Sequence, residues 1–243
     1  EARVLTATEH SQQLEYELFC ALRRWVADQG DRLRRVADLL ANMDALVSLA
    51  EVAAGSGWQR PEVTEAFGLQ IAEGRHPTVE ISGASFVPND LELTPERFLL
   101  VVTGPNMAGK STYARQAALL TLLAQIGSYL PVQTAQIGIV DRIFTRVGAA
   151  DLLARGMSTF MLEMTETAHI LRHATPRSLI ILDEVGRGTG TADGLAIARA
   201  VIEYLVRRVR AKTIFTTHYH EVTALADTYE AVGNACLQVR DEG

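Results

Sequence analysis

Gly104-Pro105-Asn106-Met107-Ala108-Gly109-Lys110-Ser111-Thr112 decides the fold, because it fits the spacing G-x-x-x-x-G-K-[ST] of a phosphate-binding loop. Glycine lets the backbone turn tightly, so that its N–H groups point inward and can cradle phosphate oxygens. A helix that starts at the end of the loop adds the favourable field of its N-terminus. In this pattern Lys110 reaches the β- and γ-phosphates and the Ser111 hydroxyl holds Mg²⁺. The stretch therefore predicts binding of a nucleoside triphosphate with Mg²⁺.

The residues on either side of this loop support the prediction. Residues 98–102 form an apolar run of the length of a buried strand, and residues 112–126 read as a buried helix that is rich in leucine. A strand, a glycine loop and a helix in this order are what phosphate binding requires. The alternative is a glycine-rich turn that binds no nucleotide, and the flanking pattern disfavours it.

Composition bounds the class of protein. The chain has 243 residues, of which 48% are hydrophobic and 21% charged, as in globular proteins, and its apolar runs are too short to span a membrane. The formal net charge of −6 argues against a large basic face for duplex DNA in this piece. Cys20 and Cys236 lie far apart, so we expect two reduced cytosolic thiols rather than a disulfide framework or zinc site. Because the chain starts at Glu1 without a Met, we expect it to be a fragment.

Two regions are predicted along the chain. Residues 1–57 are expected to form two antiparallel helices, because apolar residues recur there at helical spacing and Gly30-Asp31 interrupts the pattern. From residue 58 onward, short apolar strands alternate with helices, which predicts a largely parallel sheet covered on both faces. The predicted fold class is therefore α/β, a P-loop NTPase preceded by an N-terminal helical hairpin.

A second part of the predicted site follows the apolar strand at residues 179–182. Asp183 and Glu184 come directly after it, at the sheet edge where ligands bind in such folds. Asp183 is suited to hold Mg²⁺ and Glu184 to polarise an attacking water. A solvated strand end is the other interpretation, but the phosphate loop upstream favours the catalytic one. His218 ends the next strand, where it would either sense the γ-phosphate or pair with a backbone carbonyl.

Several segments together resemble the ATPase region of the MutS family of DNA mismatch-recognition proteins. They are residues 73–77, 86–90, 103–112, 141–151, 158–161, 163–166, 183–189 and 217–219. The resemblance covers about residues 10–243. The Asn-Met pair inside the phosphate loop and the Ser-Thr-Phe-Met segment at residues 158–161 are its most specific parts, since general ATPases do not share them.

The resemblance implies the chemistry of an ABC-class ATPase. The phosphate loop would bind ATP, Ser111 and Asp183 would hold Mg²⁺, and Glu184 would be the general base. Lys110 and His218 would complete the catalytic set, with His218 as a switch histidine.

Three further residues gain nucleotide-binding roles from the resemblance. Phe86 and Val87 would pack on the adenine, which suits an exposed aromatic side chain, although core packing is the alternative. Ser158 would reach the γ-phosphate bound by the opposite subunit, and a helix N-cap is its compatible structural role. The sites would then be shared within a homodimer that is weak in this fragment.

The resemblance also implies how the chain is divided and what it works with. Residues 1–57 would be the end of the family's core and lever region, and residues 58–243 an ABC-type ATPase domain that lacks the C-terminal helix-turn-helix. Mismatched DNA would be contacted by domains absent from this chain, and a MutL-type protein would be a partner. We expect a bacterial cytoplasmic protein that acts at the nucleoid, with no membrane partner.

The implied function is hydrolysis of ATP to ADP and phosphate, which would switch the DNA-bound states of a mismatch-recognition protein. An ATP-gated dimerisation or interaction module with negligible turnover is the alternative, and a metabolic kinase is disfavoured because no acceptor-site lid is evident. A MutS branch that acts without mismatch recognition is the closest rival within the family. The chain departs from the usual family pattern at positions flanking the dimer-facing loops: Leu152, Gly190, Ala192 and His220.

Overall fold

The structure, a computed structural model, describes residues 2–81, 86–105, 108–148 and 159–238. The chain divides into two compact units, Glu1–Glu51 and Val52–Gly243. Among the described helices, none combines the length and the apolar character that crossing a membrane requires.

The elements follow one another in the order that the sequence predicts for an α/β fold. The strands are β1 Glu62–Thr64, β2 Leu69–Gly74, β3 Asn89–Leu93, β4 Leu99–Thr103, β5 Thr134–Gly138, β6 Ile143–Arg146, β7 Leu179–Asp183, β8 Lys212–Thr216 and β9 Val232–Cys236. The helices are α1 Ala2–Asp28, α2 Gly30–Ser56, α3 Pro77–Ile81, α4 Lys110–Gln125, α5 Thr159–His173 and α6 Thr191–Tyr204. A π-helical turn, Leu205–Val209, extends α6, and a 3₁₀ helix spans His220–Asp227.

The described part of the N-terminal region, residues 2–56, is helical, as predicted, but its two helices do not show the expected antiparallel packing. Only Gln29 separates α1 from α2, and the Leu33 amide donates to the Gln29 carbonyl at 2.9 Å, as inside a helix. A single residue is too short for the loop of an αα-hairpin, which takes two to five residues. Apolar side chains on both helices are accordingly exposed, including Trp25 at 63% and Leu39 at 65%.

The main sheet has five strands, all parallel, in the order β6-β7-β8-β4-β9. Alternate residues of β7 face opposite cores because side chains alternate along a strand. Leu179 and Ile181 pack in the cluster that includes residues of α4, whereas Ile180 and Leu182 pack in the cluster that includes residues of α5 and α6. The predicted parallel sheet with helices on both faces is therefore confirmed.

A second sheet has four strands in the order β1-β5-β2-β3. Strand β1 runs parallel to β5, while β2 is antiparallel to both of its neighbours. Its buried residues Leu69, Ile71 and Leu93 join the cluster around α4, so this sheet helps to fix the helix that follows the phosphate loop. Phe86 and Val87 precede β3 and are not part of a strand.

Candidate nucleotide site

The phosphate loop connects the end of β4 to the start of α4. Gly104 has a φ of 141° and Gly109 a φ of 87°, conformations that favour glycine. A Cβ atom at Gly104 would lie 2.6 Å from the Leu237 carbonyl oxygen, so this position also needs glycine for space. The buried Lys110 side chain curls back over the loop, where its Nζ donates to the carbonyls of Gly104 at 2.9 Å and Pro105 at 3.0 Å.

The described part of the loop leads directly into α4. The Ala108 amide donates to the Pro105 carbonyl at 3.3 Å, which closes the turn, and Thr112 lies half-buried in the first turn of α4. Asn106 and Met107 lie outside the described residues, so their predicted part in binding stays a prediction.

Asp183 is tied to both neighbouring elements through one carboxylate oxygen. The Ser111 hydroxyl donates to Asp183 Oδ1 at 2.9 Å, and the Thr216 hydroxyl donates to the same oxygen. Thr216 stands opposite Asp183 in the register of β7 and β8, which explains the second contact. A serine hydroxyl beside a carboxylate is an all-oxygen donor set, the kind that Mg²⁺ prefers. Ser111 and Asp183 therefore fit the metal that the sequence predicts.

Glu184 has an unusual backbone conformation directly after β7. Its φ is 55°, a left-handed value that costs a non-glycine residue about 1–3 kcal/mol and tends to occur at functional sites. The Glu184 amide donates to the Thr216 carbonyl at 3.1 Å and also lies 3.3 Å from the Thr216 hydroxyl. The hydrogen bonding between β7 and β8 thus continues into Glu184, the first residue after β7. These bonds fix the position of the Glu184 backbone, from which the carboxylate side chain extends.

Two side chains hold the Glu184 carboxylate. His218 Nε2 contacts Oε1 and Arg187 Nη1 contacts Oε2. Burial raises the pKa of Glu184, but the charge and hydrogen bonds of His218, joined by those of Arg187, outweigh it, so the pKa lies below its ordinary value. The carboxylate is therefore ionised at neutral pH, as a proton acceptor must be.

The predicted adenine-packing residues lie before β3. The Phe86 ring lies 6.5 Å from the His76 ring between centroids, and the Val87 side chain is exposed. Tyr113, in the first turn of α4, donates its hydroxyl to the Asp90 carbonyl at 2.9 Å. This bond joins the start of β3 to the helix that follows the phosphate loop. The adenine role of Phe86 and Val87 remains a prediction.

The structure brings most of the predicted site residues together at the carboxyl edge of the main sheet. Contacts run from Ser111 through Asp183 and Thr216 to Glu184 and His218. Ser158 lies outside the described residues, and its role in trans also stays a prediction.

Two contributors were missed by sequence reasoning. Thr216 is an ordinary strand residue whose contact with Asp183 depends on β8 lying beside β7. Arg187 had a detectable signal, since it follows Glu184 by three residues in a glycine-containing turn, where opposite charges can meet. The sequence alone did not show that the side chains of Arg187 and His218 share one carboxylate.

Comparison with known proteins identifies the family. A family model described as MutS domain V matches residues 100–243. The DNA mismatch repair protein MutS of Desulfitobacterium hafniense (strain Y51) is 55% identical over 246 residues, covering 100% of this chain and 28% of that protein. The proteins of the same name from Acetivibrio thermocellus and Myxococcus xanthus (strain DK1622) are 53% and 55% identical, with the same coverage.

The matched region contains the structural features described above. Residues 100–243 include the phosphate loop, Asp183, Glu184 and His218, whereas Phe86 and Val87 precede it. The chain spans 28% of the length of these curated relatives. Its main sheet, phosphate loop and acid-bearing strand form a P-loop ATPase fold. The chain belongs to the MutS family, of which it contains domain V.

Proposed function

We propose that this chain is the ATP-binding and ATP-hydrolysing module of a DNA mismatch repair protein. The observation that carries the proposal is the connected series at the sheet edge, in which Ser111 meets Asp183 and the ionised Glu184 follows it. The relatives' name, DNA mismatch repair protein MutS, supports the biological setting. Hydrolysis to ADP and phosphate would switch the DNA-bound states of the whole protein.

Lys110 and the loop amides would bind the phosphates. Lys110 would exchange its two backbone carbonyl partners for β- and γ-phosphate oxygens, a move that needs only rotation of its flexible side chain. Ser111 and Asp183 would hold Mg²⁺. When bound, the metal would neutralise charge on the phosphates. The hydroxyl of Thr216 keeps the Asp183 carboxylate turned toward Ser111.

Glu184 would accept the proton of the attacking water. The water oxygen bonds to the γ-phosphorus, the bond from that phosphorus to the ADP oxygen breaks, and the water proton passes to the carboxylate. His218 would hold Glu184 Oε1 and orient the carboxylate toward the water. A general base of this kind is worth about 10²–10⁴ in rate.

The remaining proposals concern the assembly. Residues 1–57 would be the end of the core and lever region, and residues 58–243 the ATPase domain. The chain would dimerise through its ATPase domain, weakly and depending on nucleotide, with Ser158 of one subunit reaching the γ-phosphate of the other. Mismatched DNA and a MutL-type protein would bind the whole protein, which we place in the bacterial cytoplasm at the nucleoid.

The test is Glu184→Gln in the natural protein that contains this chain. We expect the variant to bind ATP with Mg²⁺ as the wild type does, while the single-turnover rate falls by about 10²–10⁴, because the amide keeps the shape but accepts no proton. An unchanged single-turnover rate would show that Glu184 is not the base. A wild-type protein that binds ATP without any hydrolysis would reject the proposed activity itself.

A second candidate function is an ATP-gated interaction module with negligible turnover. The observation that favours it is that His218 and Arg187 already occupy both Glu184 oxygens, which would keep the base from water. Arg187→Ala separates the two candidates, because it frees Oε2 and leaves the His218 contact. A large rise in hydrolysis rate from a negligible wild-type value would favour the interaction module, whereas substantial wild-type turnover would exclude it.

A further inference from the structure

The turn that carries Glu184 has weak internal support. It follows β7 and leads into α6, and both Glu184, at φ 55°, and Gly186, at φ 93°, are left-handed. Within the turn, the Arg187 side chain contacts the Glu184 carboxylate, but the described backbone bond is long, with the Arg187 amide 3.4 Å from the Glu184 carbonyl. A strained turn keeps one geometry only when surrounding groups over-determine it. Contacts from other elements must therefore help to hold this one.

Two side chains from different parts of the chain form hydrogen bonds with the backbone of Gly186. Glu163 of α5 accepts a hydrogen bond from the Gly186 amide through Oε1, and the Tyr219 hydroxyl donates to the Gly186 carbonyl at 2.9 Å. Glycine at position 194 makes the second contact possible. A Cβ atom there would lie 2.1 Å from the Tyr219 hydroxyl and 2.3 Å from the Gly186 carbonyl oxygen.

Glu163 carries a charge in a place where charge is costly. Its side chain is 5% exposed, and its second oxygen lies 3.7 Å from Nη2 of the buried Arg146 at the end of β6. Arg146 in turn pairs with the more exposed Glu166 at 3.1 Å. A buried carboxylate is tolerated only when it is paired and hydrogen-bonded. The Gly186 amide is one of the groups that satisfy Glu163, so turn and carboxylate stabilise each other.

Tyr219 links the contacts at Gly186 to the contact between His218 and Glu184. It directly follows His218, whose ring contacts the Glu184 carboxylate. Burial raises the pKa of Tyr219, as does the nearby charge of Glu163, so its hydroxyl stays a donor at neutral pH. The turn is thus held at two places by neighbouring residues. His218 holds the Glu184 side chain, and Tyr219 holds the backbone two residues later.

We propose that Glu163 and Tyr219 are positioning residues for hydrolysis, which hold the Gly186 peptide and thereby aim the Glu184 carboxylate. This inference rests on the proposed function, in which Glu184 is the base. Neither residue touches the reacting atoms. Their effect is geometric, and a displacement of about 1 Å at a reacting group can cost about a hundredfold in rate.

The first test removes one hydroxyl. In the natural protein that contains this chain, we expect Tyr219→Phe to lower the single-turnover rate of ATP hydrolysis about tenfold, with Mg-ATP affinity unchanged, because the phosphate loop is not altered. Tyr229→Phe is the matched control. The Tyr229 hydroxyl pairs with Arg207 elsewhere on the domain, so its loss should leave the rate as it is.

The second test separates positioning from mere structural support. Glu163→Ala leaves the Gly186 amide without its acceptor, whereas Glu163→Gln restores an acceptor oxygen. We expect Glu163→Ala to lose at least about tenfold in single-turnover rate and Glu163→Gln to recover most of it. Glu166→Ala is the control, since it disturbs Arg146 without touching Gly186. An equal loss for Gln and Ala would contradict the proposal.

Hydrogen exchange tests, without measuring hydrolysis, whether Glu163 and Tyr219 hold the turn at Gly186. We expect backbone amides of residues 184–188 to exchange faster in Tyr219→Phe and Glu163→Ala than in the wild type, by about tenfold. If the amides of this turn exchange at the wild-type rate in both variants, the two side chains do not hold the turn and the inference is overturned. It is also overturned if exchange accelerates but the wild-type hydrolysis rate is retained. A wild type that fails to hydrolyse ATP would reject the proposed function instead, and the exchange result would still decide whether the turn is held.

Discussion

The two units of the chain differ in how their apolar residues are used. In the first unit, most large apolar side chains of α1 and α2 are exposed, such as Trp25 at 63%. In the second unit, apolar residues at positions 179–182 of β7 are fully buried between two layers of helices. Helical spacing is present in both units, and within the described residues it is the second unit whose helices pack on a sheet.

The difference teaches that a periodic pattern predicts an element and not its partner. A helix can form along its whole length while its apolar stripe stays exposed, because backbone hydrogen bonds within a helix are local. A parallel strand has no such independence, since its hydrogen bonds come from neighbouring strands. Stability should therefore depend strongly on β7 and weakly on the exposed face of α2. Ile181→Ala and Leu39→Ala measure that contrast, and two further substitutions test the nucleotide site that the second unit contains.

The largest expected effect is in the core of the second unit. Ile181→Ala removes a side chain that is 0% exposed, so we expect the free energy of unfolding to fall by about 2–5 kcal/mol. Urea unfolding, followed by circular dichroism, measures the change. A cost below about 1 kcal/mol would mean that β7 is less tightly packed than the structure shows.

The next effect concerns ligand binding. Lys110→Ala removes the buried cation of the phosphate loop, and we expect ATP binding to weaken by about 1.5–3 kcal/mol, or roughly one to two orders of magnitude. Arg34→Ala is the matched control, because it removes an exposed cation from α2. Calorimetry should find the control unchanged, and equal losses for both variants would contradict a local role for Lys110.

A smaller effect depends on pH. The pKa of Glu184 lies below its ordinary value of 4.5, so its ion pairs stabilise the folded state fully above that value and less as pH falls through the folded pKa. We expect Glu184→Gln to lose about 1 kcal/mol or less at pH 7, and less still near about pH 3. Asp31→Asn removes a carboxylate from an exposed pair with Arg34 and should cost less at pH 7, because solvent screens that pair. The measurement is the free energy of unfolding of each variant and the wild type at the two pH values. A stability loss in Glu184→Gln that is larger in acid than at pH 7 would contradict the expected pH dependence.

The smallest effect belongs to the exposed face of α2. Leu39→Ala removes a side chain that is 65% exposed, and we expect a change within about 0.5 kcal/mol, although the chemical change resembles that of Ile181→Ala. The same urea titration compares the two variants. A loss as large as that of Ile181→Ala would show that the face is covered in solution.

Much of the fold could be predicted because its signals are local. The phosphate loop carries its own pattern, and apolar strands of five residues predict a buried parallel sheet. The predicted helical hairpin failed because the sequence shows a break at Gly30 but not how many residues leave the helix, and only Gln29 does.

The site was predictable in parts. Lys110, Ser111, Asp183 and Glu184 could be found because each lies within or beside a recognisable stretch. Thr216 could not, because its contact with Asp183 depends on which strand lies beside β7. Glu163 and Tyr219 were named only within longer segments, since their shared contact with Gly186 joins three separate parts of the chain.

The strand order of the main sheet has a metric consequence. Strand β8 lies between β4, which leads to the phosphate loop, and β7, which ends in Asp183. Neighbouring strands are about 4.8 Å apart, so two steps separate the loop-bearing and acid-bearing strands by roughly 10 Å. From α4, Ser111 reaches across this distance to Asp183, and Thr216, on the strand between, contacts the same carboxylate oxygen. Backbone hydrogen bonds between the strands set this distance. Side-chain substitutions can therefore change which groups lie between β4 and β7 without changing how far apart the two strands are.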